Sequence, residues 1–437
     1  MNGSTTESMH DRQLRATAPR EWLPAAGRVL DHSKKRSRLF ALGVLLAMAV
    51  SSIVIFEPAP VDGLILGLLF IGTLAGFLEF SAVAPLALIP LAGFVAANLM
   101  SMYDPIDFMH ATWYVLVTIY LALSWVFFVA FFSRYGKSGI RTVFLGYSLS
   151  ALFCVTLGLL SYFHVIGYQT YLLRFGRPKG VFKDPNVFGP YLVPVALFAL
   201  AGLIFKKKTF LTNLATAVIV SVLTVGVLVS YSRAAWVNYL ISLVLYFVLA
   251  TLLRPTGSRL PFPVGKALIF LVLAVIGIGL GLQIPAVQSM MAQRVTSNGL
   301  QNYDRDRFRT HHLAVQSAFD RPLGIGPGQA EETFQYATHS SYMRAMSENG
   351  FFGLACYAVF LIVSLGMALR KAMITDDPFW KKVYLIAAAC IVGHIVNSAV
   401  VDTIHWRHAW IILALPWLPG SSEPATETQA LQAGELA

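Results

Sequence analysis

Residues 111–132 read ATWYVLVTIYLALSWVFFVAFF, an unbroken apolar run without a charged side chain. A helix needs about 20 mostly apolar residues to cross the hydrocarbon core of a bilayer. The apolar positions are continuous rather than alternating, which disfavours a strand of a membrane β-barrel. The stretch therefore predicts a transmembrane helix.

The rest of the chain repeats this pattern. Of its 437 residues, 56% are hydrophobic and 13% are charged, whereas average soluble domains are about 25% charged. This composition excludes a soluble globular protein, and it predicts an all-α integral membrane protein. About twelve runs meet the length criterion for a transmembrane helix, at 39–56, 61–80, 82–100, 111–132, 141–163, 187–205, 211–230, 235–253, 267–285, 351–369, 382–401 and 408–418.

The basic residues predict how these helices are oriented. Residues 1–38 form a basic tail, and further basic clusters lie at 133–141, 206–210, 254–266 and 370–382. Lys and Arg are enriched in the cytoplasmic loops of membrane proteins, so we place these segments in the cytoplasm. No cleavable signal peptide is expected, because the first apolar run is long enough to span the membrane.

One long polar segment, residues 288–350, interrupts the apolar runs. It carries six arginines and three histidines, and we expect it to be a periplasmic loop with two short helices. Asp304 or Asp306 is placed to cap the first helix, which should end near Phe319. The second should start near His339. The predicted layout is a cytoplasmic tail at 1–38, helices 1–9 in 39–287, the catalytic loop at 288–350, helices 10–12 in 351–418, and a disordered cytoplasmic tail at 419–437.

Some basic residues fall on the predicted outer side, against the positive-inside pattern. Solvated loop charge is the simplest use for them. Their placement also fits an anionic ligand at the outer membrane surface. They are Arg174, Arg177, Lys179, Lys183, Arg233, Arg294, Arg305, Arg307, Arg309, Arg321, Arg344 and Arg407.

Two short polar stretches lie between apolar runs on that side. In Gly180–Gly189, Asp184-Pro185-Asn186 predicts a turn in which Asn186 caps the following helix. In Ser230–Trp236, Arg233 lies where a charge is costly and usually faces a cavity or a partner. The structural alternatives are a plain helix entry for the first stretch and snorkelling of the arginine to the interface for the second.

The order of these motifs carries a family resemblance. The motifs are Asp184-Pro185-Asn186, SRAAW at 232–236, Arg307, DRPLGIGPG at 320–328, HSSY at 339–342 and ENGFFG at 348–353. Together they resemble the O-antigen ligase/polymerase superfamily, roughly over 180–370 by motif and over the whole chain by topology. Two positions depart from the family: Ser340 stands where Asn is usual, and His311 stands where a tryptophan is common.

The resemblance implies a glycosyltransferase of the bacterial inner membrane with its active site facing the periplasm. Such an enzyme moves a glycan from undecaprenyl diphosphate to an acceptor hydroxyl. Ligases of lipopolysaccharide biosynthesis use lipid A–core, related polymerases use a growing glycan, and related oligosaccharyltransferases use protein Ser or Thr. We favour an O-antigen ligase, with an O-antigen or exopolysaccharide polymerase as the alternative. The expected partners are the lipid-linked glycan, its acceptor and membrane lipids, with no nucleic acid.

The candidate side chains suit that reaction. Arginine offers a permanently charged, bidentate fork to the diphosphate as it gains negative charge. His339 has the unperturbed pKa of a general base, ~6.5, or it could donate to the diphosphate. We therefore predict His339, Arg233 and Arg307 as catalytic, Arg309, Lys183, Arg177 and Arg344 as diphosphate ligands, and Asn186, Ser232, Tyr342 and Glu348 as supporting residues.

Neither a cofactor nor a metal is expected. The histidines lack the HExxH spacing of a zinc site, and Asp304 and Asp306 alternate with arginines, which favours capping and ion pairing. A lipid-linked glycan transporter is the competing hypothesis. Transporters carry ionisable residues at midplane, and the helices here are nearly free of charge, with His394 and Asn397 as polar exceptions. A structural membrane subunit is a third reading.

Overall fold

The computed structural model describes residues 23–79, 84–205, 209–253 and 297–418, together with the single positions 283 and 288. Most of these residues are helical, and their one sheet is a short two-stranded hairpin. The predicted run at 267–285 and both chain tails, 1–22 and 419–437, lie outside the described residues apart from position 283. The protein is an all-α membrane protein.

The elements follow one another in a simple order. The helices are α1 (Leu23–Ala49), α2 (Pro60–Leu74), α3 (Pro85–Met100), α4 (Phe108–Tyr162), α5 (Gln169–Leu172), α6 (Pro185–Phe205), α7 (Phe210–Val229), α8 (Arg233–Leu252), α9 (Ser297–Asp320), α10 (Ala330–Phe334), α11 (Ser341–Ile374), α12 (Pro378–Ser398) and α13 (Arg407–Ala414). The strands are β1 (Leu173–Arg174) and β2 (Arg177–Pro178), and 3₁₀ turns lie at Ser101–Tyr103 and Leu415–Trp417.

Seven of the described helices are long and apolar enough to cross a membrane. The longest, α4, has 55 residues and breaks at Gly136, whose φ of 52° and ψ of −129° are not helical. Glycine adopts such a conformation without the clash that a Cβ would cause. The two arms of α4 therefore correspond to the separate apolar runs predicted at 111–132 and 141–163.

The helices alternate between two ends of the molecule. At one end, Lys137 pairs with Asp377, and Arg134 lies 3.8 Å from Glu79. At the other end lie the segments 50–59, 101–107, 163–184, 230–232, 321–340 and 399–406, which we call the loop-rich end. The segments predicted to be cytoplasmic, 133–141 and 370–382, thus share the first end.

An ion pair and aromatic rings stabilise the packing of α13. Arg407, at the head of α13, donates two hydrogen bonds of 2.6 Å to the carboxylate of Asp62 in α2. Both side chains are largely buried, so each supplies the charge that the other needs away from water. Further along, the indole of Trp125 donates to the Leu413 carbonyl at 3.0 Å. The charge of Arg407 is therefore paired with that of Asp62, and the pair joins α13 to α2.

The segment 288–350 differs in part from its prediction. Helix α9 begins at Ser297, upstream of Asp304 and Asp306, so capping by either aspartate is wrong. Its end at Asp320, next to Pro322, lies beside the predicted end at Phe319. The second helix agrees: α11 begins at Ser341, and the Ser340 hydroxyl accepts from the Met343 amide.

Candidate functional site

The segment before α11 carries His339 beside Arg307. The Arg307 guanidinium Nη2 lies 3.5 Å from the His339 carbonyl oxygen. One turn further along α9, His311 donates from Nε2 to the Thr338 carbonyl at 2.7 Å. Arg307 and His311 are four residues apart on α9, so both face the chain that leads into α11 and hold His339 at the head of that helix.

His339 is built into a constrained position. Its φ is 47°, in the left-handed region that non-glycine residues rarely adopt. Its ring meets that of Tyr336 edge-on at 5.4 Å. Burial lowers the pKa of His339, and the neighbouring charge of Arg307 lowers it further. The neutral imidazole is thus favoured at neutral pH, which is the form a general base needs.

Arg177 joins the two short polar stretches. It is buried, its Nε donates to the Ser230 carbonyl at 2.9 Å, and its Nη2 donates to the Asn186 amide oxygen at 3.1 Å. Asn186 therefore does not cap α6, contrary to the prediction. The cap is Asp184, whose carboxylate accepts a hydrogen bond from the backbone N–H of Asn186 at 2.7 Å. The side chain of Asn186 binds Arg177 instead.

Arg233 opens α8 next to this junction. The Ser232 hydroxyl caps the helix by accepting from the Ala235 amide at 3.3 Å. The preceding residue, Tyr231, has a φ of 49°, and its hydroxyl lies 2.7 Å from that of Tyr162. Arg233 itself is exposed. Asp184 is close enough to raise the pKa of His339 electrostatically, so the turn before α6 lies in the neighbourhood of that histidine.

Arg344 sits in a different environment. Its side chain is 6% exposed and pairs with the carboxylates of Glu331, Glu348 and Asp402. Its Nη1 lies 2.9 Å from Glu348, which is fully buried, and its Nε lies 2.9 Å from Asp402. The guanidinium also stacks over the Tyr114 ring at 5.5 Å. We call these four charged residues the Arg344 cluster.

The Arg344 cluster fixes the glycine-rich turn. The Glu348 carboxylate accepts from the amides of Gly328 at 2.8 Å and Ala330 at 3.2 Å. A Cβ on Gly324 would collide with the Glu348 carbonyl. A Cβ on Gly350 would likewise collide with the Pro322 carbonyl, so glycine is required at both positions because the two backbones touch.

Residues 216–358 match the sequence model of a family described as O-antigen ligase, Wzy_C. This match supports the O-antigen ligase superfamily. The match spans about a third of the chain, from within α7 to within α11, and no curated protein matches significantly.

Members of the O-antigen ligase superfamily are glycosyltransferase-like enzymes. The matched residues include Arg233, Arg307 and His339, but not Arg177 or Asn186.

The other predicted site residues lie in varied settings. Arg309 is exposed on α9, on the face opposite Ala314 and Ala318, which are buried. Lys183 is exposed and pairs with Glu57. Tyr342 donates to the Ile395 carbonyl at 2.8 Å and so holds α11 to α12. Contact of Arg309, Lys183, Arg177 and Arg344 with a diphosphate stays a prediction.

No site role was predicted for three carboxylates at the loop-rich end. Glu331 and Asp402 complete the Arg344 cluster, and Asp184 pairs with Arg174 at 2.8 Å. Nothing in the local pattern marks Asp402, which lies in a short connection between two apolar runs. The aspartate before Pro185 did carry a signal, since Asp is a preferred N-cap residue.

Proposed function

We propose that this protein transfers a glycan from undecaprenyl diphosphate to an acceptor hydroxyl at the periplasmic face of the bacterial inner membrane. An O-antigen ligase that acts on lipid A–core is the form that we favour. The observation that carries the proposal is the contact of Arg307 with the His339 backbone, inside the region that matches the family.

In the proposed reaction, the acceptor oxygen attacks the anomeric carbon of the donor glycan. Its proton passes to the neutral imidazole of His339. The bond between the anomeric carbon and the diphosphate oxygen breaks, and its electron pair stays on the diphosphate. Atoms and charge balance without a further reactant, and the imidazolium later returns its proton to solvent.

The arginines supply the electrostatic part. Charge that develops on a leaving group is best stabilised by donors already in place in a site that excludes water. Arg307 is held by α9 beside His339, and exposed Arg233 starts a helix whose preceding loop is tied to Arg177. Arg307 and Arg233 would bind the diphosphate, and the lowered pKa of His339 supports its role as the base.

A transfer assay with purified protein tests the proposal. Wild type and the variants Arg233→Ala, Arg307→Ala and His339→Ala would receive an undecaprenyl diphosphate-linked glycan and either lipid A–core or a second lipid-linked unit. We expect wild type to modify lipid A–core and each variant to lose most of the rate. Arg305→Ala is the matched control, because Arg305 is an exposed arginine of the same helix.

The acceptor separates the alternatives. Transfer to the second lipid-linked unit alone would replace the ligase with the polymerase. Full transfer by a protein that carries all three alanine substitutions would remove the catalytic assignment. A wild-type protein that transfers to neither acceptor would overturn the proposal.

A further inference from the structure

The connection between α4 and α6 exposes several aromatic rings at the loop-rich end. Tyr168 is 71% exposed, Tyr171 63% and Phe175 81%. Side chains of this size bury most of their surface when they serve packing. These three therefore contribute little to the core, although the segment that carries them is well anchored.

Backbone conformation sets Phe175 apart. Strands β1 and β2 pair Arg174 with Arg177, so Phe175 and Gly176 form a two-residue hairpin loop. Both have positive φ, 50° and 72°, as a type I′ turn requires. Asn or Gly is the usual residue at the first position of such a turn. A phenylalanine there costs backbone strain and gains no burial.

Tyr168 repeats the same combination. Its φ is 68°, and that of nearby His164 is 59°. Bulky residues in this region are outliers, and such outliers cluster at ligand-binding and active sites. Two exposed aromatic residues on strained backbone thus lie within one short segment.

The segment is rigidly attached beside the candidate site. Leu173 packs against Tyr162 and Tyr231, and the Lys179 amide donates to the Leu172 carbonyl at 2.9 Å. Arg174 stacks over the Phe175 ring at 5.5 Å and pairs with Asp184. The hairpin tip is therefore connected directly to the turn that lies near His339.

We propose that Tyr168, Tyr171 and Phe175 form a stacking surface for a saccharide chain, which we call the aromatic platform. Sugar rings present flat C–H faces that pack on aromatic rings, and their hydroxyls bind planar polar groups at the rim. Here the rim holds Arg174 and also Gln169, whose amide nitrogen lies 3.3 Å from His164 Nδ1. This inference rests on the proposed function, which brings a glycan to His339.

The polar rim and the link to Asp184 favour a saccharide over the membrane interface as the occupant. Aromatic residues do anchor proteins at that interface, but anchoring needs only their amphipathic character and no fixed approach to the reaction centre. A chain that extends from the donor diphosphate or from the acceptor would pass over a surface placed beside the turn at Asp184.

The test measures transfer by purified protein with all three platform residues changed to leucine. Leucine keeps the side chains apolar and removes the aromatic faces. We expect the KM for a donor that carries a long glycan to rise about tenfold, kcat to stay near wild type, and the KM for a single-repeat donor to change less. If the acceptor glycan is the occupant, the KM for lipid A–core rises instead.

Three further variants keep the test decisive. Tyr168→Phe with Tyr171→Phe retains the rings and should behave like wild type. Phe210→Ala removes an equally exposed ring, 82%, at the opposite end of the molecule, and should also leave KM unchanged. If the leucine variant keeps wild-type KM values and the corresponding triple alanine variant unfolds at a lower temperature in lipid vesicles, the platform is a membrane-interface anchor and the inference is wrong.

Unchanged KM values for donor and acceptor in every platform variant would likewise overturn the inference. A wild-type protein with no transfer would instead count against the proposed function, so the two failures are distinguishable. As a control for misfolding, the leucine variant should unfold at the same temperature as wild type.

Discussion

Arg344 and Arg307 lie at the same end of the molecule in opposite electrostatic environments. Arg344 is 6% exposed and meets three carboxylates. Arg307 is half-buried and meets the carbonyl of His339. A carbonyl carries only a partial charge, so most of the positive charge of Arg307 remains for an anionic ligand. These environments favour a structural role for Arg344 and the proposed catalytic role for Arg307.

The largest expected effect comes from replacing Arg344, the more buried of the two arginines. Arg344→Met leaves Glu348 and its neighbours without a counter-charge and should lower the free energy of unfolding by about 3–5 kcal/mol. Denaturation in detergent measures it. The control, Arg305→Met, replaces an exposed arginine and should change stability by less than about 0.5 kcal/mol. A loss as small as the control's would mean that the Arg344 cluster behaves like a set of surface ion pairs.

The second effect concerns rate and not stability. Arg307→Ala should reduce kcat by roughly 100- to 1000-fold, as removal of one donor to a developing charge does in other enzymes, while the melting temperature stays near wild type. Arg307→Lys keeps the charge, loses the bidentate fork and should fall between the two. A stable and fully active Arg307→Ala protein would contradict the division between the two arginines.

The third prediction concerns pH. Burial and the charge of Arg307 lower the pKa of His339, so its imidazole stays neutral to a lower pH than a free histidine does. The transfer rate should therefore fall only on the acid side of pH ~6.5. Removing a positive neighbour favours the protonated ring. The acid limb of the residual activity of Arg307→Gln should therefore move to higher pH. An acid limb that stays in place, or moves lower, would separate His339 from the titration.

The smallest expected effect is that of chelation. If arginines alone meet the diphosphate charge, treatment with EDTA should change the transfer rate of the purified protein by less than about twofold. A large loss that Mg²⁺ or Mn²⁺ restores would instead assign part of that task to a cation. The arginines would then account for only part of the charge that binds the diphosphate.

Much of the fold was predictable because hydropathy and length are local properties of a chain. Seven membrane-length helices among the described residues, the end of α9 beside Pro322 and the start of α11 near His339 all follow from the sequence nearby. The predicted start of α9 was wrong. Two aspartates among other charged residues resemble a helix cap whether or not the helix continues upstream.

The site was harder to predict, since its contacts join distant residues. Asn186 was assigned to a cap, yet it binds Arg177, because Asp184 takes the capping position two residues earlier. Arg344 reads as one more outer-face cation until Asp402 reaches it from the connection between α12 and α13. Neither partner is visible in a local pattern. Arg307 and His339, in contrast, could be assigned to one site from the order of the family motifs.

The close approach of Gly324 to the Glu348 carbonyl, and of Gly350 to the Pro322 carbonyl, has a consequence for how this protein can vary. Each glycine gives room to a carbonyl from the other's segment, so a methyl group at one position cannot be relieved by trimming a side chain at the other. A library of substitutions at the two sites should contain no compensating pairs. Diversity in this part of the chain would have to arise around the two positions and leave them both unchanged.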